Sequence, residues 1–132
     1  MIGVDTNILV RLVAPDDAIQ NQAARDFFAE RSAGDPAYVS SIVLAETIWL
    51  LRRRFGYSRQ AVEDIVRSFL ASDDFLVEGA ERLRDVLTLP NAARSEIADH
   101  LIAWSAQTAG CTKTVTFDRR AAARVPAMEL LA

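Results

Sequence analysis

At 132 residues the chain has the length of one domain with a single sizeable core, and 51% apolar with 25% charged residues is globular rather than disordered composition. A net charge of −3 lacks the basic excess usual in nucleic-acid binders, yet it is compatible with an acidic, cation-holding pocket rimmed by arginines. One cysteine, Cys111, excludes an internal disulfide. No apolar run reaches the roughly 20 residues of a membrane helix, and the N-terminus lacks the pattern of a signal peptide, so a cytoplasmic protein is expected.

In chain order, Met1 to Val4 reads as a short buried strand, and Thr6 to about Val13 as a helix ended by Pro15. Asp16 and Asp17 occupy N-cap positions for "DAIQNQAARDFFAERSAG", which is expected to run helically to Gly34. "AYVS" is a second strand. "SIVLAETIWLLRRRFG" is apolar on most of its circumference and closed by Gly56, so a largely buried helix is expected. "SRQAVEDIVRSFLAS" is a capped amphipathic helix, with Glu63 and Arg67 expected to pair on its wet face. "DFLVEG" is a third strand, "AERLRDVLTL" a helix broken near Pro90, and "SEIADHLIAWSAQTAG" a helix stopped by Gly110. "TKTVTFD" is a fourth strand, "RRAAAR" a short helix and "AMELLA" a last edge strand. This alternation predicts an α/β fold, with a short, mostly parallel sheet between helices, spanning residues 1–132 as a single domain.

Parallel topology brings strand C-termini and helix N-termini to one edge of a sheet, where ligands of open α/β folds bind. Asp5 ends the first strand and Asp118 follows the fourth. Glu46 lies in the opening turns of the helix after strand two, and Asp99 near the start of the helix leading into strand four. Four carboxylates are thereby expected on one cleft. Glu46, beside Ile42, Val43, Trp49 and Leu50, and Asp99, beside Ile102, Ala103 and Ala106, are expected to be partly desolvated. Close carboxylates repel by about 4 kcal/mol per pair at an effective dielectric near 20, so a cation is expected among them. Mg2+ or Mn2+ suits an all-oxygen donor set, whereas one His and one Cys are too few for the usual zinc sites. Carboxylate-held divalent ions are a standard apparatus for phosphodiester hydrolysis.

Singly, three of the acids have plain structural explanations: Asp5 and Asp118 as N-caps, and Asp99 as a first-turn acid with Ser95 as the cap. Glu46 has none. His100 neighbours Asp99 but points about 100° away from it, and is expected at a rim or on the surface. Cys111 is expected to be a small buried residue, Trp49 and Trp104 to be core, and Arg52 to Arg54 to be a solvated helix end. Asn7 and Thr116 are candidate supports that orient a carboxylate or a water.

"VDTNILVRL", "LAETIWLL", "IADHLIAWSA" and "TVTFDRR" together resemble the four acidic motifs of PIN-domain nucleases, in the order and spacing of the VapC-type toxins of toxin–antitoxin pairs. The resemblance runs from Ile2 to about Arg120. It implies an α/β/α sandwich, RNA cleavage dependent on Mg2+ with Mn2+ as a substitute, a homodimer, and a cognate antitoxin that covers the cleft. Carried over by position, Asp5, Glu46, Asp99 and Asp118 are the catalytic and metal-binding acids, with Asn7 and Thr116 supporting. Ile97 and His100 depart from the usual third motif, which bears on substrate choice. A non-catalytic module whose acidic cleft receives a partner's arginine is the alternative. A phosphotransferase built on Asp5 fits less well, because the position two residues on is Asn7 rather than a second acid.

Overall fold

In a computed structural model describing residues 1–132, seven α-helices alternate with five short strands, and every strand pair is parallel. The α/β class read from the sequence is the one observed. The chain divides into two compact units, Met1–Arg84 and Asp85–Ala132.

In the first unit, β1 (Ile2–Gly3), β2 (Ala37–Val39) and β3 (Phe75–Val77) form a sheet in that order, with Ile2 opposite Ala37 and Ala37 opposite Phe75. The crossovers are α1 (Thr6–Val13) with α2 (Ala18–Ala29), then α3 (Ser41–Arg53) with α4 (Arg59–Ala71). Side-chain oxygens of Asp17, Ser40 and Ser58 accept from Gln20, Val43 and Ala61 N–H groups, capping α2 and α4 as their sequences suggest and α3 from the residue expected to end the second strand. α1 packs on α2 and α3, and α4 packs on α3 and β3. Phe75 of β3 stacks on both Phe28 of α2 and Phe69 of α4, with ring centroids 4.8 and 4.6 Å apart, which ties both crossovers to the sheet. Leu9, Leu44 and Leu51 are fully buried, each contributing about 1.5–3 kcal/mol of burial.

Three expectations change here. α2 ends at Ala29 rather than Gly34. The N–H groups of Glu30 and Arg31 reach back only three residues, to the carbonyls of Phe27 and Phe28, and the chain unwinds into a Ser32–Asp35 turn ahead of Pro36. α3 buries one stripe, Leu44, Thr47, Ile48 and Leu51, and exposes Ile42, Glu46 and Trp49, so neither the helix nor Trp49 is wholly core. Glu63, expected on the wet face, is 1% exposed and pairs with Arg59 at 3.2 Å, and Arg67 has a surface partner in Asp64. An acid at that position follows the buried stripe of Val62, Val66 and Phe69, and Arg59 one turn back reaches in to pair with it.

α5 (Ala80–Thr88) spans the boundary, and its start follows Gly79, whose φ of +73° suits glycine. In the second unit a 3-10 turn at Asn91–Ala93 leads to α6 (Ile97–Thr108), then β4 (Thr114–Thr116), α7 (Arg119–Arg124) and β5 (Met128–Leu130). β4 and β5 pair in parallel, Thr114 opposite Met128, so the last edge strand is real. Ala103 of α6, Ala121 of α7 and Val125 form the unit's apolar centre with Met128 against them; small side chains at two of these positions allow close approach. Cys111 is exposed, in the turn after Gly110, rather than buried in a strand. No helix is long and apolar enough to cross a membrane.

Candidate active site

Each unit places two of the four acids where a strand ends or a neighbouring helix begins. Asp5 follows β1 and N-caps α1 from extended backbone, φ −85°, ψ 163°; its Oδ1 accepts from the Thr6 N–H at 2.7 Å. Asp118 follows β4 and N-caps α7, Oδ1 accepting from the Ala121 N–H at 2.9 Å. Both act as the caps that their sequence context suggests. Capping engages one oxygen and leaves Oδ2 of each open to a ligand.

The helical acids differ from one another. Glu46, in the second turn of α3, is exposed and forms no hydrogen bond or ion pair, so the expected desolvation is not what sets it apart. Its apolar neighbours Ile42 and Trp49 are exposed with it. Asp99, in the first turn of α6, is half-buried, and its Oδ2 accepts from the Ser95 hydroxyl. Ser95 is therefore not the helix cap. Glu96 holds that position without a side-chain capping bond, and Ser95 steers the acid instead.

A small polar network supports Ser95. It is buried, and its N–H donates to Nε2 of His100 at 3.4 Å. His100 is itself buried, not on a rim, with its ring 5.9 Å from that of Trp104. One residue earlier, the buried guanidinium of Arg94 donates to the Leu89 carbonyl and to Asn91 Oδ1, and Arg124 donates to the Arg94 carbonyl at 3.2 Å. These bonds fix the entry into α6 and hence the height of Asp99. The sequence signal for this was an "RS" four residues before an acid, too common a pattern to single out.

The supporting residues divide. Thr116 Oγ1 accepts from the Asp118 N–H at 3.0 Å, holding the backbone that carries the acid rather than its carboxylate. Asn7 is exposed and lines a cavity of about 300 Å³ between α1 and α2, with Ile8, Arg11, Gln20 and Phe27 among its walls. A second cavity of about 200 Å³, lined by Gly3, Val4, Asp5, Ile8 and Phe27, adjoins Asp5 itself. Sequence reasoning missed Glu78, which follows β3. Its Oε1 accepts from the Ser41 N–H at 2.8 Å, placing a charge on the positive end of α3. Burial raises the pKa of the Tyr38 phenol above its ordinary value, and the charge and hydrogen bonding of Glu78 raise it further.

All donors at the four positions are carboxylate oxygens, a set that fits Mg2+ or Mn2+ and not zinc. No three His, Cys, Asp or Glu side chains are gathered closely enough to hold an ion.

The PIN domain family matches residues 2–127, a span that contains all four acids. A VapC ribonuclease of Aquifex aeolicus (strain VF5) is 24% identical over 118 residues, which are 89% of this chain and 87% of that protein. No solved structure matches. With that match reaching across both units, the chain belongs to the PIN domain family.

Proposed function

We propose that this chain is an endoribonuclease that hydrolyses RNA phosphodiester bonds with Mg2+ or Mn2+, using Asp5, Glu46, Asp99 and Asp118, and that it acts as the toxin of a toxin–antitoxin pair. The observation that carries the reading is the position of those acids inside one family match. Each occupies a strand end or a helix opening, and each keeps at least one carboxylate oxygen out of the protein's own hydrogen bonds. Its partners in this reading are RNA, an antitoxin protein and a second copy of the chain. The similarity to a VapC ribonuclease supports the same direction.

A bound divalent ion supplies a water acidic enough to act as hydroxide and neutralises phosphate charge. The chain's own residues do the positioning. The caps aim Asp5 and Asp118 out of the ends of β1 and β4, Ser95 sets the rotamer of Asp99, and Glu46 stays solvated and adjustable.

The experiment is incubation of partner-free protein with a broad transcript pool in Mn2+, in Mg2+ and in EDTA, with Asp99→Asn in parallel. Cleavage to 5′-phosphate ends that needs the ion and falls at least about a thousandfold in Asp99→Asn is expected. No cleavage of any transcript by wild type in either metal would sink the proposal.

A further inference from the structure

One stripe of α3 is left uncovered. Ile42, Glu46, Trp49 and Arg53 are exposed, Ile42 at 82% and Trp49 at 60%, while the opposite stripe is buried. On an ideal helix Trp49 lies about 60° and Arg53 about 20° around from Glu46, so acid, indole and guanidinium succeed one another over about 10 Å of surface. The Trp49 ring contacts no other ring and forms no hydrogen bond, and Arg53 forms no ion pair. The second unit repeats the combination over consecutive residues: Phe117, 72% exposed, then Asp118, Arg119 and Arg120, all exposed. A single surface aromatic needs no explanation. An aromatic in water beside an acid and a disengaged arginine, twice, each time at one of the proposed acids, does.

We infer that the exposed stripe Glu46–Trp49–Arg53 of α3 is a track for single-stranded RNA, with a base stacked on the Trp49 indole and a phosphate held by the Arg53 guanidinium. The inference rests on the ribonuclease reading. The strand is single because duplex bases are already stacked on their neighbours, whereas an open strand offers a free ring face to any exposed aromatic. Charge favours the same occupant: Arg53 matches phosphate, and an RNA strand brings its own cations to Glu46 and leaves that carboxylate wet. A second copy closed over Trp49 would instead strip water from Glu46 one turn away. Trp49 and Arg53 are positioning residues, not catalytic ones.

The test uses a mixed-sequence single-stranded RNA 12-mer, bound in Mn2+ to protein carrying Asp5→Asn so that the strand stays whole. Trp49→Ala should weaken binding about 5- to 150-fold, the effect of losing one stacked base. Trp49→Phe should stay within about threefold of the parent, and Trp49→Leu, apolar but unable to stack, should fall with Ala. Arg53→Gln should make the salt dependence shallower by about 0.7 in log–log slope, one phosphate contact. With Asp5 restored, Trp49→Ala should raise KM and spare kcat. Unchanged binding in Trp49→Ala, parent-like binding in Trp49→Leu, or a dimer that Trp49→Ala dissociates in sedimentation would each overturn the inference. Protein that binds the 12-mer through Trp49 yet cuts no RNA refutes the ribonuclease reading alone. Protein that cuts RNA equally well with and without Trp49 refutes this inference alone.

Discussion

The two units each carry one strand-end acid and one helical acid, and the contrast lies in the helical ones. Asp5 and Asp118 are held alike, by extended backbone and a cap bond to an N–H within three residues. Glu46, in the unit with the three-stranded sheet, has nothing holding its side chain; Asp99, in the unit with the two-stranded sheet, is tied to Ser95, which His100 supports in turn. A strand-end Asp has two torsions and a cap partner supplied by the helix it starts. A helical acid has no cap bond of its own, so its order depends on which side chain lies in reach: Ser95 four residues before Asp99, and none beside Glu46. The first unit brings nothing to Glu46, which stays exposed. The second builds a support of buried polar groups.

The broadest break of this comparison removes one acid from each unit. Asp5→Asn and Asp118→Asn should each lower RNA cleavage by roughly 10³–10⁴-fold, and the double variant should be little worse than either, as for residues acting as a unit. Losses that multiply, measured as kcat/KM on one oligonucleotide, would mean that the two units contribute independently. Ser95→Ala sharpens the contrast between the helical acids. Freeing Asp99 should cost about 10- to 100-fold in metal affinity or activity, the usual effect of losing an outer-shell partner. Full activity in that variant would show that Asp99 needs no more holding than Glu46.

A smaller effect separates the two caps. The Asp118 bond goes to the third helical N–H, the usual capping geometry, while the Asp5 bond goes to the first. In EDTA, Asp118→Ala should lose about 1 kcal/mol by urea unfolding and Asp5→Ala less. The reverse order would mean that repulsion among the acids outweighs the cap.

Much of the fold was legible because its signals are local. The alternation of short apolar runs with capped helices marked every strand, including the last, and Asp17, Ser58, Asp5 and Asp118 began the helices that their side chains suggest. The positions of the four proposed acids, at strand ends and helix openings, were legible for the same reason. What went unread depends on neighbours. Glu63 and Asp64 are adjacent acids, and the sequence alone does not say which goes inside; the phase of Val62, Val66 and Phe69 against the sheet decides it. "SIVLAETIWLL" is apolar nearly all round, and only packing on one side left Ile42 and Trp49 in water.

The sequence by itself determined the order of elements and most of their caps, since hydrogen bonds over one to three residues and apolar periodicity are written in consecutive residues. Tertiary structure alone decided that His100 and Ser95 are buried behind Asp99, that Glu78 sits on the start of α3, and that α3 shows an indole to solvent. Burial and long-range hydrogen bonds are set by chain segments tens of residues apart, whose approach no local pattern encodes.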